Sequence, residues 1–164
     1  MTDRTCQPVS VSRTIDAPAG KLFGLLVHSA NHPLIDGSGM LREAPSDVVL
    51  SRVGDVFPMR MHNDEMGDYE MSNQVVEYEL NRRIGWEPVL DAASREEDQA
   101  GIGKRAEHRW SYEFTPINPE STLVTETYDC VRSPGWLRRA VKGGTRWIAS
   151  MTATLEKLDA LSRA

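Results

Sequence analysis

The chain has 164 residues, of which 40% are hydrophobic, and a net charge of −5 at pH 7. That length suits one domain with a substantial core, since domains most often run to about 100–150 residues. An acidic balance with no Lys/Arg stripe gives the phosphate attraction behind nucleic-acid binding no source, so no nucleic-acid partner is expected.

Residues 1–10 have neither the apolar run of a secretory signal nor the Arg-rich look of a transit peptide, and nowhere do about 18 apolar residues run together. A cytoplasmic protein without membrane insertion is the expectation. Cys6 and Cys130 have no Cys-x-x-Cys spacing and no companion ligands, so both read as structural thiols in a reducing compartment. Neither metal nor cofactor is expected.

In chain order, Val9, Val11 and Ile15 alternate with Ser10, Ser12 and Thr14, the period of a half-buried strand. Asp16 and Pro18 then read as a cap and first turn ahead of Leu22, Phe23, Leu25 and Leu26, which cluster at helical spacing. Asn31 and Pro33 start a second helix, which Gly37 and Gly39 keep short. From residue 40 to 132 no 3.6-residue stripe is sustained. Segments rich in Val, Tyr, Trp and Thr, separated by turn clusters, predict antiparallel strands at 40–43, 48–50 with 56–62, 69–80, 83–90, 105–115 and 122–131. Residues 91–103, charged and glycine-bounded, read as a mobile hairpin tip. Ser133 and Pro134 then open a long terminal helix, with Leu137, Val141, Gly144, Ile148, Met151, Leu155 and Leu158 at steps of three and four. Arg138, Arg139, Lys142 and Arg146 form a basic spot that reads as the solvated face of this helix.

The order β-α-α-β-β-β-β-β-β-α predicts an α+β domain with one amphipathic helix against a bent antiparallel sheet. That order, with the runs 11–18, 32–39, 53–57, 75–80, 83–86 and 110–116, resembles the polyketide cyclase/dehydrase and lipid-transport families of the START-like, or SRPBCC, superfamily, to which the birch-pollen allergen fold also belongs. The resemblance covers nearly the whole chain. It implies a helix-grip fold over residues 1–164 with an internal cavity, and a small hydrophobic molecule as partner. The superfamily includes carriers, sensors and enzymes, so the fold does not select one function.

Candidate cavity residues follow from period-two faces. Phe57, Met59 and Met61 share an inward face whose thioethers suit either core packing or an adaptable ligand. Ala106, His108, Trp110, Tyr112 and Phe114 form an alternating series that should point inward, making His108 an interior histidine. On the strand 122–131, the even series Thr122, Val124, Glu126, Tyr128, Cys130 competes with the odd series Leu123, Thr125, Thr127, Asp129, Val131; neither is clearly apolar. The resemblance favours Val124 inward. Glu126 would then lie beside Trp110 or Tyr112, and Tyr128 beside His108 or one pair away. His108, Glu126 and Tyr128 become candidate polar or acid/base groups, while the alternative leaves Glu126 on a solvated surface. Trp86 reads as a cavity wall or a core plug. Gly144, with Gly143, interrupts the terminal helix and asks for a reason: close approach of a ligand, a kink, or tight packing of Trp147 against the sheet.

Other constellations carry less. His28 and His32 are four apart, but the break at Asn31 and Pro33 spoils a metal-binding register. His62, Asp64, Glu65 and Asp68 lack a calcium-loop pattern, residues 36–39 lack the Lys of a phosphate loop, and no Gly-x-Ser-x-Gly elbow appears. The leading expectation is a carrier or binding protein for a polyketide, lipid or aromatic metabolite, as monomer or homodimer. The alternatives are a cyclase or dehydratase using His108, Glu126 or Tyr128, and an interaction module whose interior is filled by Phe57, Met59, Trp110 and Trp147. Drug-sized ligands occupy about 300–1,000 Å³, so a void much smaller than that would rule out the carrier reading.

Overall fold

A computed structural model describes residues 7–90 and 107–164. The expected hairpin tip at 91–103, the start of the strand expected at 105, Ala106 and Cys6 lie outside the described residues.

Seven strands form one antiparallel sheet: β1 (Val9–Ile15), β2 (Leu41–Glu43), β3 (Val56–Asn63), β4 (Gly67–Glu79), β5 (Arg83–Leu90), β6 (Arg109–Asn118) and β7 (Ser121–Asp129), in the order β1-β7-β6-β5-β4-β3-β2. Helix α1 (Ala19–Leu26), a 3-10 turn at Ser29–Asn31 and the single-turn α2 (His32–Ile35) separate β1 from β2. The C-terminal part comprises α3 (Gly135–Ala140), a 3-10 segment (Lys142–Trp147) and the long α4 (Ile148–Ser162). The architecture is the expected α+β helix grip. The core lies between the inward sheet face and the helices, where Ile15, Leu22, Phe23, Phe57, Phe114, Val124, Leu155 and Leu158 are almost wholly buried.

Parity is settled on β7, which pairs with β1 on one side and β6 on the other. Its even residues, 122 to 128, are buried, and its odd residues are half-buried. Outside, Ser10 and Ser12 of β1 bond the hydroxyls of Thr127 and Thr125, each at 2.8 Å.

Three expectations need correction. Residues 48–50 form no sheet strand; Val49 makes one bridge with His28, and the backbone bonds Ser29 N to Val48 O and Leu50 N to Val27 O tie the segment to the link between α1 and α2. The expected caps also act elsewhere. Pro18, Asn31 and Pro134 occupy the capping positions without side-chain cap bonds, while Asp16 accepts from Ser121 Oγ at 3.1 Å and Ser133 Oγ donates to Glu107 O at 3.1 Å. The terminal helix is not continuous. Gly143 (φ 66°) and Gly144 (φ 99°) break it, leaving Ile148 of the expected stripe 43% exposed. At Gly144 a Cβ would stand 2.9 Å from the Tyr128 ring and 3.0 Å from Val9 Cγ2, so both backbone conformation and close packing require glycine.

Besides the bond from Lys21 Nζ of α1 to Ser162 O, the last helix is anchored at two further places. Asp159 accepts from Arg13 Nε of β1 at 2.9 Å and from Arg163 Nε at 2.8 Å. Burial alone would push this carboxyl up, yet the two guanidinium bonds hold it below its ordinary value. At the other place, the loop after α2 lies directly on α4. Gly37 N donates to Thr154 Oγ1 at 2.9 Å, and Lys157 Nζ donates to Asp36 O at 2.9 Å.

A methyl group at position 37 would collide with Ser150 O and lie 2.7 Å from Thr154 N, both backbone atoms of α4. Gly37→Ala should therefore destabilise the fold by about 1–3 kcal/mol, the usual range for overpacking. Thermal unfolding should show a fall of several degrees; an unchanged midpoint would mean that the loop separates freely from α4.

Candidate functional site

Between the inward face of β3–β7, the loop after α2 and the start of α4 lies a cavity of about 200 Å³. Strand parity supplies most of its wall. Phe57, Met59 and Met61 come from β3, Tyr69, Met71 and Asn73 from β4, Trp86 and Pro88 from β5, Trp110 and Tyr112 from β6, and Glu126 from β7. His108 enters just before β6, and Trp147, Ser150, Met151 and Thr154 close the side nearest α4. The interior is thus lined, not filled, by Phe57, Met59, Trp110 and Trp147.

Among the residues singled out from sequence, Phe57, Met59, Met61, Trp86, Trp110, Tyr112, Trp147, His108 and Glu126 line this space, whereas Val124, Gly144 and Tyr128 do not. Val124 is wholly buried in the core beside the cavity. Tyr128 is also wholly buried, its ring 4.5 Å from that of Trp110, and Gly144 packs closely on it. The wall residues that sequence reading missed are equally instructive. Tyr69, Met71 and Asn73 continue the odd face that ends in buried Val75, an alternation available in the sequence. His32 shares the face of α2 with Ile35 and contacts the cavity together with Leu26.

The polar groups form three separate arrangements. Tyr112 and Glu126 stand directly opposite across the β6–β7 ladder, and Tyr112 Oη donates to Glu126 Oε1 at 2.9 Å. Glu126 is 3% exposed, and its buried Oε2 has no protein partner. Burial pushes its carboxyl up to about 8, opposed by the Tyr112 bond and reinforced by the negative charge of Asp36. The Tyr112 hydroxyl is likewise held well above its ordinary value by burial and by Glu126.

His108 Nδ1 and Tyr128 Oη lie 2.7 Å apart. Burial lowers the imidazole to about 4, against the opposing charge of Glu87. His32 is also lowered to about 4 by burial, opposed by its bond to Leu26 O and by Asp47. Its Nε2 lies 2.7 Å from the Leu26 carbonyl, which can only accept, so Nε2 carries the proton. The ring stacks on Trp86 at 4.8 Å. Both histidines are therefore neutral near pH 7, and neither Lys nor Arg is among the described residues that line the cavity.

His28 and His62 instead pair with Asp47 at 2.9 Å and Asp68 at 2.7 Å. Among the described residues, no three His, Cys, Asp or Glu side chains converge as a metal site, and no helix is long and apolar enough to cross a membrane.

No protein-family model matches the chain. An uncharacterized protein of Mycobacterium tuberculosis, Rv0088, is 29% identical over 167 residues, covering 93% of this chain. The chain spans 63% of the length of the curated relatives it matches. Among solved structures, the AHSA1 protein of Silicibacter pomeroyi is similar with a TM-score of 0.60 at 18% identity, over 94% of this chain and 96% of that one. The di-domain ARO/CYC protein BexL of the BE-7585A biosynthetic pathway has a TM-score of 0.61 at 16% identity, over 96% of this chain and 48% of its own. At such identities the likeness is one of fold alone, a long helix held against a curved antiparallel sheet.

Proposed function

We propose that the protein binds a small, predominantly apolar molecule inside this cavity. The observation that carries the reading is an unfilled interior of about 200 Å³ walled by aromatic rings and methionine thioethers. Its size narrows the ligand. The volume is below the roughly 300–1,000 Å³ of drug-sized sites and above the roughly 150 Å³ that admits benzene. A compact aromatic metabolite fits this space, whereas a multi-ring polyketide or a long acyl chain needs a wider one. Phe57, Met59, Met61, Trp86, Trp110, Tyr112 and Trp147 supply the apolar wall, while Val124 and Gly144 support it from behind.

Glu126 supports a second, enzymatic reading. A carboxyl that remains protonated near neutral pH can serve as a general acid, lending a proton to a keto oxygen during enolisation, cyclisation or dehydration. His108 Nδ1 and the Tyr128 hydroxyl face each other at 2.7 Å, so among these three residues the acid role falls to Glu126. Turnover of a β-keto compound that disappears in Glu126→Gln would separate an enzyme from a carrier.

The binding reading is tested by filling the space. Met61→Trp should weaken calorimetrically measured binding of single-ring compounds at least about tenfold while the protein remains folded. Undiminished binding by a folded variant would place the ligand elsewhere.

The neutrality of the cavity makes a separate prediction about stability. His32 and His108 have folded values near 4 against 6.5, so their contribution is complete above about pH 6.5 and is lost as pH falls. Glu126 has a folded value near 8 against 4.5, so its contribution is complete below about pH 4.5 and is lost as pH rises through 8. Two histidines outweigh one carboxyl below about pH 6.5, and above it only the carboxyl acts. For these groups stability should peak near pH 6.5 and fall toward pH 8, by at most about 1.4 kcal/mol per pH unit. Glu126→Gln should flatten that fall, as measured by melting temperature against pH; a decline equal to the wild type's would show that Glu126 does not cause it.

A further inference from the structure

Among the described residues, two that line the cavity hold buried polar atoms without a protein partner: Glu126 through Oε2 and Trp147 through Nε1. An indole N–H can only donate. Glu126 is constrained as well. Since Tyr112 Oη donates to Oε1, that oxygen acts as the carbonyl acceptor, and a proton on the carboxyl belongs on Oε2. The two orphan atoms are thus both donors, and they belong to two residues of a lining otherwise made largely of rings and thioethers. A buried donor left unmatched costs free energy, and a ligand oxygen recovers it.

The charge of the surroundings decides which oxygen. Facing Glu126 are Tyr112 from β6 and Asp36 from the loop after α2, with neutral His108 and His32 on the same cavity walls; α4 offers Ser150, Met151 and Thr154. Asp36 accepts from Ser38 N, Ser38 Oγ and Leu41 N. An anionic ligand would lose its water beside Asp36, with neither Lys nor Arg among the described lining residues to compensate. A cation would find carboxylate and aromatic faces, but it would leave the Trp147 N–H unmatched. A neutral acceptor satisfies both donors without burying a charge.

We propose that the cavity selects a neutral, single-ring compound bearing a hydrogen-bond-accepting oxygen, such as an aryl ketone, held by the Glu126 carboxyl O–H and the Trp147 indole N–H. This rests on the reading of the cavity as a binding site and adds the chemical class. The carboxyl is a donor only while protonated, which its upward shift to about 8 permits at neutral pH. Affinity for the ketone should therefore fall as pH rises past 8, whereas affinity for a hydrocarbon of the same shape should not.

Calorimetric titration of the wild type with acetophenone, ethylbenzene, benzoate and benzylammonium tests this directly. At pH 6.5 acetophenone should bind at least about tenfold more tightly than the other three, and from pH 7 to 9 its advantage over ethylbenzene should shrink. Trp147→Phe should lower acetophenone affinity severalfold without changing that for ethylbenzene, and Glu126→Gln should abolish the pH dependence. Equal affinity for ethylbenzene and acetophenone would overturn the donor proposal while leaving an apolar binding cavity. Tightest binding of benzoate or benzylammonium would overturn it in favour of a charged ligand. If none of the four binds, the proposal falls together with the functional reading beneath it.

Discussion

The structure turns on the parity of β7. This strand is paired on both edges, so it cannot rotate its faces independently of β1 and β6, and every second residue from Thr122 to Tyr128 must enter the interior. Val124 and Tyr128 gain from that burial; Glu126, between them, is carried in by the same period. The outward face reinforces the arrangement, because Thr125 and Thr127 find the serine hydroxyls of β1. A one-residue slip would bury those hydroxyls and bring the carboxyl into water, exchanging one polar group inside for several. The acid is thus held inside by the whole strand.

Its consequence is a cavity whose wall is nearly free of charge although it contains imidazole and carboxyl groups. Desolvation drives His32 and His108 to lose protons and Glu126 to keep one, so all three take the neutral form near pH 7. Each histidine also has a neighbouring group within hydrogen-bond distance, the Leu26 carbonyl or the Tyr128 hydroxyl. Among the described residues of this lining, Glu126 Oε2 and Trp147 Nε1 are fully buried polar atoms without a protein partner.

Much of the fold was legible in sequence because its strands alternate strongly. The face Phe57, Met59, Met61 and the series Trp110, Tyr112, Phe114 each predict their own burial without reference to a partner. Strand 122–131 was different: threonines and a carboxylate alternate with a valine and a tyrosine, so local hydrophobicity could not choose a phase, and only pairing with β6 and β1 does. The capping signals misled for a related reason. Asp16 and Ser133 have the right chemistry at the right spacing, but their side chains turn to tertiary partners: Asp16 accepts from Ser121 Oγ, and Ser133 Oγ donates to Glu107 O. His32 was visible as a residue but not as a wall, because its role depends on Trp86, 54 positions away in sequence, coming to stack on it.

The pairing of β1 with β7 has a temporal side. Ser10 and Thr127 are partners across 117 positions, and Arg13 reaches Asp159 across 146. A chain made from its N-terminus therefore presents β1 long before its partners exist, while β3, β4 and β5 can pair through short connections as they emerge. Of the seven strands described, β1 precedes the others and its partner β7 comes last; until β7 forms, both edges of β1 lack a sheet partner, and one edge stays unpaired in the finished sheet. The alternating serines and Arg13 on β1 keep that waiting strand partly polar.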